Sequence, residues 1–490
     1  MVWIPASAGM TNMTIQELEQ AVKAYNPQSD AELIRLAFDF AESAHRGQTR
    51  KTGEEYITHP LKTAHYLAQM KVDDATIIAA LLHEVPDLTD VPLSEIQRNF
   101  GVEVATLVEG VSRLGNVKYR GVDRYVENLR KMFVSIAQDT RIILIKFSGR
   151  IHNLETLDVL PESKRMRIAR EVLEIYAPIA DRLGIAFLRG ELEDRAFPHV
   201  YPEEYERIKT LVEPYLTEKE PYLADVRLIL EQYLKDAGVE VVSISSRVKR
   251  LFSTYKKIES LGLSTVEGLY DLVAMRVIVP TVADCYAALG VIHQYWKPLK
   301  GRIKDYIAQP KPNNYRSLHT TVFCEGGQIV EFQIRTPEMQ YEAEVGVAAH
   351  WHYTDSNKIS KNITPKHLDW VQEILKLQGA AGTNQEYLKA LKLDIFQHRI
   401  FVFTPKGDVI NLPDGSTPVD FAFHIHSDVG RRCSGARVND VMVSLDRPLK
   451  SGDVVEILIE KNRKMPSIDW LKFAKTHIAR SHIKQQLRKR

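Results

Sequence analysis

The chain has 490 residues, 44% of them hydrophobic and 26% charged, with a formal net charge of +2. That length is too great for one hydrophobic core and points to roughly three domains. The near-neutral charge excludes a global electrostatic field, so a nucleotide or nucleic-acid site must be a local patch. Cys285, Cys324 and Cys433 are scattered and share no CxxC spacing, which argues against a disulfide frame or a cysteine-based zinc site and for a reduced compartment.

The opening residues, MVWIPASAGMTNM, carry no Lys or Arg and no long apolar core. They read as a disordered leader and not as a signal peptide, and translation could equally begin at Met10 or Met13. No apolar run is long enough to span a bilayer. A cytoplasmic protein without a membrane partner is expected. From about 14 to 195 the pattern is helical: Leu33, Ile34, Ala37, Phe40, Ala41 and Ala44 recur at helical spacing. His59-Pro60 opens a further helix. Ala75 to Val85 forms a strongly apolar one that Pro86 should stop, and Arg141 to Leu157 is helical again.

After about residue 240 the pattern mixes strands with helices. Asp271 begins a β-rich run through Val279, and Thr320–Phe323 and Ile329–Ile334 are further strands. Lys249–Ile258 and Val282–Tyr295 are helices between them, so an α/β or α+β domain ends near Tyr353. The polar stretch TDSNKISKNITPKH reads as a linker. A compact β-rich unit follows from about 398 to 460, with turns at Pro405-Lys-Gly407 and Pro413-Asp-Gly415. The last thirty residues hold ten Lys/Arg and one Asp.

The densest chemical signal is KPLKGRIKDYIAQPKPNNYRSLH, from Lys297 to His319. Lys297, Lys300, Arg302, Lys304 and Lys311 lie on a Gly/Pro-broken loop, and converging cations suit a polyphosphate. Asn313, Tyr315 and His319 add hydrogen bonds and a stacking surface for a base. A bare charge run is more often a solvated loop; the interleaved Tyr, Asn and His favour a site. Asp271 and Glu331 flank this loop in sequence. Phosphoryl-type transfer needs a carboxylate on a divalent metal and another on the attacking hydroxyl, although two edge-strand carboxylates facing water fit the same pattern. There is no GxxxxGK[ST], which disfavours a P-loop enzyme. In the N-terminal half, His59, His83 and Glu84 on neighbouring helices form a candidate divalent-metal set, though such His pairs are more often structural.

GRIKDYIAQPKPNNYRSLHTTV, YDLVAMRVIV, VEFQIRT and GVAAHWHY closely resemble the synthetase domain of RelA/SpoT homologues, the long Rel-type (p)ppGpp synthetase/hydrolases. The resemblance covers nearly the whole chain. It implies a multidomain protein: an all-α HD-type hydrolase domain over 14–200, an α/β nucleotidyltransferase-like synthetase domain over 201–355, a helical linker over 356–396, a small β-grasp-like TGS domain over 397–461 and a basic helical tail over 462–490. Its implied activity is transfer of the β,γ-diphosphate of ATP to the 3′-hydroxyl of GDP or GTP. Asp271 matches the family's Mg²⁺-binding aspartate, Glu331 the glutamate that activates the 3′-hydroxyl and Tyr315 the tyrosine that stacks on guanine. Arg247, Lys249 and Lys257 match cations on the ATP side. Arg302, Lys304, Lys311, Asn313 and His319 match the nucleotide-binding loop. Asn314 stands where the family often has Gly, and Asn tolerates left-handed backbone angles.

RGQTRKTGEEYITHP and IIAALLHEV are similar to the HD hydrolase domain, which binds Mn²⁺ through two His and two Asp. His59 and His83 match the His ligands, and Arg50 and Asn153 match other pocket residues. The departures are Glu84 for the aspartate after the second His, Asp87-Leu88 for an acidic pair, and Gly149 for the late aspartate ligand. The resemblance therefore implies a synthetase whose hydrolase site is degenerate. The alternatives are a bifunctional enzyme with Glu84 and water completing the metal shell, and a non-catalytic nucleotide- and tRNA-sensing regulator. The TGS module implies contact with tRNA or the ribosome. His426 matches a family His there, whereas Arg431 stands where the family commonly has His. Because the resemblance runs out at Arg490, the family's later regulatory domains and strong ribosome-dependent activation are not expected.

Overall fold

The computed structural model describes residues 13–115, 121–311, 313–351, 371, 399–450, 452–460 and 465–487. These divide into two compact units. The first covers residues to 119 and from 128 to 372; the second covers 120–127 and 373 onward. The expected linker stretches, 354–367 and most of 356–396, lie outside the described residues.

The N-terminal helices are α1 (Ile15–Tyr25), α2 (Ala31–Ala44), α3 (Thr58–Gln69), α4 (Asp74–Leu82), α5 (Val85–Leu88), α6 (Leu93–Gly115), α7 (Gly121–Gln138), which belongs to the first unit from Asn128 on, and α8 (Thr140–Glu155). α4 is apolar all round, with Thr76 through Leu82 buried, so it is covered on every side. Asp73 caps its N-terminus by accepting from the Thr76 N–H. The break after this helix falls at His83–Glu84, before Pro86, and Pro86 lies in the first turn of α5. The expectation that Pro86 terminates α4 is corrected to this extent. A proline N cannot donate to the Leu82 carbonyl, so the chain leaves the helix early and restarts where the missing N–H costs nothing.

Helices α9 (Glu162–Glu171), α10 (Ala177–Arg182), α11 (Ala186–Val200) and the long α12 (Pro202–Asp236) lead into the sheet. The sheet is built from β1 (Ser243–Val248), β2 (Val273–Ile278), β3 (Lys297–Pro298), β4 (Lys304–Asp305), β5 (Leu318–Phe323) and β6 (Ile329–Arg335), with α13 (Leu251–Leu261) and α14 (Val282–Tyr295) between strands and α15 (Pro337–Val345) after them. The strand order is β1-β2-β6-β5-β3, with β4 also paired to β5. β2 and β6 run parallel and the other pairings are antiparallel.

Side chains alternate between the faces of a strand, and the register sorts them. Val273, Met275 and Val277 of β2, Val330, Phe332 and Ile334 of β6 and Leu318 and Val322 of β5 fall on one face. They form a core with Val226, Leu230 and Leu234 of α12, Ile258 of α13 and Ala288 and Ile292 of α14. The opposite face carries Arg247, Arg276, Glu331, Gln333, Arg335, His319 and Lys304, each in register with its neighbour strand. Asp271 lies in the turn two residues before β2 and not at the strand's first residue as expected. Lys249 and Lys257 belong to the connection after β1 and to α13.

The helical and sheet regions of this unit are packed closely. Arg250 pairs with Glu191 and Asp194 of α11, and the Val347 N–H donates to the Leu183 carbonyl at 3.1 Å. Gly346 follows α15 with φ 52° and ψ −126°. A Cβ there would stand 2.4 Å from the Leu183 carbonyl oxygen and 2.4 Å from the Gly184 carbonyl carbon. Gly346→Ala is therefore expected to destabilise the chain by roughly 1–3 kcal/mol through backbone clash. Gly290→Ala, on α14 with open space at its Cβ, serves as the control. Thermal unfolding of the two variants decides it, and an unchanged midpoint for Gly346→Ala would contradict the packing described.

The second unit holds a hairpin, β7 (Arg399–Phe403) with β8 (Val409–Pro413), and a three-stranded sheet in the order β10 (Val441–Val443), β9 (Cys433–Val438), β11 (Val455–Ile459). Helix Pro418–Ile425 packs on it, and a helix over His477–Leu487 follows. Asp420 is fully buried and accepts from the backbone N–H groups of Thr417, Lys475 and Thr476. One side chain thus caps one helix and fixes the entry to the other. This matches a multidomain protein with a helical domain, a mixed-sheet domain and a small β-rich module.

Candidate functional site

The expected carboxylates, Asp271 in the turn before β2 and Glu331 on the polar face of β6, lie in contrasting surroundings. Asp271 Oδ2 meets Lys249 Nζ at 2.8 Å and Lys257 Nζ at 2.5 Å. Its Oδ1 is buried with no hydrogen-bond partner. Burial alone would raise the pKa of Asp271, but the two ammonium groups outweigh it and bring the carboxyl down to about 2. It stays ionised and, among the described residues, keeps one carboxylate oxygen without a hydrogen-bond partner, which suits a carboxylate that shares a cation with a phosphate.

Glu331 sits on β6, opposite Ala274 of β2 and Thr321 of β5. Its Oε1 accepts from Gln333 Nε2 at 2.9 Å and lies 3.2 Å from His319 Nδ1. Burial opposes its charge, yet His319 and then Gln333 hold its pKa below the usual glutamate range. His319 Nε2 in turn meets the Tyr315 hydroxyl at 2.8 Å. The expected loop residues divide between this centre and its rim. Lys311 is tucked between the rings of Tyr306 and Tyr315, 4.7 and 4.8 Å from their centroids. Burial and the nearby Lys304 bring its ammonium down to about 8. Asn313 Oδ1 accepts from the Tyr315 N–H, and Asn314 has φ 59°, the left-handed backbone its residue type tolerates. Lys304 is exposed on β4, and Arg302 is exposed with its guanidinium 5.6 Å from the Tyr270 ring.

Arg276, Gln333 and Arg335 are polar-face residues absent from the sequence-based set. Arg276 and Arg335 each bury an Nε that has no hydrogen-bond partner among the described residues. Burial, then the neighbouring Arg335, lowers Arg276 to about 10. For Gln333 and Arg335 the legible signal was the two-residue alternation of polar and apolar side chains in VEFQIR.

In the helical domain, His59 Nε2, His83 Nε2 and a Glu84 carboxylate oxygen lie within 4.8 Å of one another. Proton positions follow from their partners. His83 Nδ1–H donates to the Ala80 carbonyl at 2.7 Å. His152 Nδ1 must accept from Arg50 Nη1 at 3.1 Å, because a guanidinium only donates; His59 Nδ1–H therefore also donates to it, at 2.9 Å. Both Nε2 atoms are then bare, and both face Glu84 Oε1, at 3.8 and 4.0 Å. Lone pairs and a carboxylate oxygen turned on one another fit a cation between them, so these residues suit a divalent metal. Burial first, then His83 and the cations Arg50, Lys146 and Arg150, keep His59 well below the ordinary histidine pKa, in the neutral form a metal requires. Arg50 Nη2 also donates to Asn153 Oδ1 at 3.2 Å, so those two pocket residues are brought together. Gly149 faces the cluster: a Cβ there would lie 3.4 Å from His59 Nε2. Asp87 turns to Ser112, and Leu88 is exposed. His152 was not among the expected residues, and its role as the acceptor that orients His59 is visible only in the packing.

In the β-rich module His426 Nδ1 accepts from the Asp428 N–H at 3.1 Å, and Arg431 pairs with Asp428. No helix among the described residues is long and apolar enough to cross a membrane.

Three family models match the chain: the HD domain over residues 37–186, the region found in RelA/SpoT proteins over 246–358 and the TGS domain over 400–459. The chain is 46% identical over 481 residues to a guanosine-3′,5′-bis(diphosphate) 3′-pyrophosphohydrolase of Aquifex aeolicus, covering 97% of this chain and 67% of that protein. It is 43% identical to a GTP pyrophosphokinase of Myxococcus xanthus, covering 96% of this chain and 62% of the relative. It is 42% identical to the bifunctional (p)ppGpp synthase/hydrolase SpoT of Escherichia coli, covering 96% and 67%. The chain thus spans about two thirds or less of the length of these relatives. With the HD, RelA/SpoT and TGS regions in that order and these identities over nearly its whole length, the chain belongs to the RelA/SpoT family.

Proposed function

We propose that the chain transfers the β,γ-diphosphate of ATP to the 3′-hydroxyl of GDP or GTP, producing (p)ppGpp and AMP. The observation that carries this reading is a pair of neighbouring carboxylates: Asp271, in the turn before β2, ionised against two lysines, and Glu331, on the polar sheet face, held through Oε1. Asp271 would hold Mg²⁺, which neutralises polyphosphate charge in such transfers. Lys249, Lys257 and Arg247 then face the phosphates of ATP. Lys304, Lys311, Asn313 and Arg302 face those of the acceptor, and Glu331 takes the proton of the 3′-hydroxyl. The domain limits expected from the sequence, 14–200, 201–355, 356–396, 397–461 and 462–490, belong to the same proposal, as does contact of the TGS module with tRNA. The test is incubation of the purified chain with labelled ATP and GDP or GTP in the presence of Mg²⁺. The expected product is labelled ppGpp or pppGpp with stoichiometric AMP, and its absence with both acceptors overturns the reading.

The acceptor base is assigned to Tyr315. Stacking on an aromatic is worth about 1–3 kcal/mol per base. Tyr315→Ala is thus expected to weaken GDP binding by roughly tenfold or more in calorimetry while ATP binding changes little. Equal losses for both nucleotides would remove Tyr315 from this role.

In the helical domain the proposal is a degenerate hydrolase site. His59, His83 and Glu84 would hold Mn²⁺, which lowers the pKa of a bound water when present. Gly149 supplies no ligand to complete the set. The convergence of two bare His nitrogens and Glu84 favours a second reading, a bifunctional enzyme with a weakened hydrolase.

A further inference from the structure

Glu331 is not held by its immediate neighbours alone. Arg335, 2% exposed on the same strand, donates from Nη2 to the Tyr315 hydroxyl at 2.9 Å and to Gln333 Oε1 at 2.8 Å. Gln333 Nε2 donates to Glu331 Oε1 at 2.9 Å. On the other side Tyr315 Oη meets His319 Nε2 at 2.8 Å, and His319 Nδ1 meets the same Glu331 Oε1 at 3.2 Å. One assignment of protons satisfies every contact. A guanidinium only donates, so Tyr315 oxygen and Gln333 oxygen accept from it. The Tyr315 O–H then donates to His319 Nε2, and neutral His319 donates Nδ1–H to the carboxylate. The reverse tautomer would turn a lone pair of His319 on Glu331. Arg247 Nη1, at 3.4 Å from Gln333 Oε1, reinforces the same orientation of the Gln333 amide.

We infer that Gln333 and Arg335 are positioning residues for the transfer reaction: two hydrogen-bonded arms start at Arg335, one through Gln333 and one through Tyr315 and His319, and both end on Glu331 Oε1, leaving Oε2 as the oxygen that takes the 3′-hydroxyl proton. The inference rests on the proposed role of Glu331 as base. Hydrogen bonds in series polarise one another, so both arms deliver donor character to a single oxygen. That fixes the carboxylate rotamer and makes Oε1 the less basic atom. In the transfer step the 3′-oxygen forms its bond to the β-phosphorus of ATP and the bond from that phosphorus to the α-phosphate bridge breaks. AMP leaves with the electron pair, and the hydroxyl proton passes to Oε2. The long arm also runs through Tyr315, so seating of the acceptor base and orientation of Glu331 become one event.

Gln333→Leu cuts the short arm without adding charge or bulk. A misplacement of about 1 Å at a reacting group costs on the order of a hundredfold. The expected result is a kcat roughly a hundredfold lower with the KM for ATP changed less than about threefold. Acting through Glu331, the substitution adds nothing further in a Glu331→Gln background, a non-additivity that a general loss of structure would not produce. Arg335→Lys, which shortens the donor that feeds both arms, carries the same cycle if Gln333→Leu does not fold. A Gln333→Leu kcat within about threefold of the unmodified chain, or a full additional loss on top of Glu331→Gln, overturns the inference. Failure of the unmodified chain to form product counts against the transfer reading itself, whereas an active chain indifferent to Gln333→Leu counts against this inference alone.

Discussion

Glu331→Gln is expected to reduce diphosphate transfer by roughly 10²–10⁴-fold while both nucleotides still bind, since a positioned general base supplies about that factor. The substitution is nearly isosteric, and its amide oxygen can still accept from Gln333 and His319. The sheet face therefore keeps its geometry, and only the capacity to take a proton is lost. An interaction made chiefly in the transition state shows as a fall in kcat and in kcat/KM together, with KM little changed. Asp271→Asn is predicted to behave differently. It removes the charge that Lys249 and Lys257 share, so it should weaken ATP and Mg²⁺ binding as well as turnover. Steady-state kinetics with calorimetry on both variants separates the two roles. A Glu331→Gln kcat within about threefold of the unmodified chain would remove Glu331 as the base.

Hydrolysis of ppGpp by the unmodified chain is expected to be slow even with added Mn²⁺, and the combined variant Glu84→Asp, Leu88→Asp and Gly149→Asp is expected to raise it at least tenfold, the lower end of about 10–100-fold seen for supporting residues in metal sites. The donors that remain are well prepared: the Ala80 carbonyl and His152 leave the Nε2 lone pairs of His83 and His59 free. The gap is at position 149, where a Cβ would stand 3.4 Å from His59 Nε2 and 3.5 Å from Thr63 Oγ1. A Cβ added there meets ordinary van der Waals contacts beside the nitrogen proposed to bind the metal. The cations work in the opposite sense, because Arg50, Lys146 and Arg150 all act on His59, and with few carboxylates nearby a divalent ion is held against net positive charge. Metal content of the purified chain and of the variant gives a readout independent of turnover. Brisk hydrolysis by the unmodified chain, abolished by His83→Ala, would establish the bifunctional reading instead.

Much of this protein was legible in the order of its residues. Apolar periodicity marked α4, α8 and the core strands, because a buried helix or strand must present apolar side chains at its own repeat. The loop from Arg302 to His319 pointed to a polyphosphate site through residue type, and its role there stays part of the proposal. Asn314 could be assigned to a left-handed turn because few other side chains tolerate that backbone. Position 149 stood out in its motif as a glycine where the resemblance implies an aspartate, and a Cβ there would lie 3.4 Å from His59 Nε2.

Tertiary structure decided what the sequence could not. Lys249 and Lys257 read as cations on the ATP side, and in the folded chain both lie on Asp271; Lys249 reaches it because β1 pairs with β2 and the Lys249 N–H donates to the Leu272 carbonyl, and Lys257 reaches it from α13. The strand alternation of Glu331, Gln333 and Arg335 was present in the sequence, but alternation says only that residues share a face. Which face they share, and with whom, depends on the parallel pairing of β6 to β2 and its antiparallel pairing to β5. That register places His319 beside Gln333 and lets both arms from Arg335 meet on Glu331. His152 likewise gained its role only when α8 packed against α3. Hydrogen-bond direction is set by distances between residues far apart in the chain, and those distances are fixed by packing, which a local pattern does not encode.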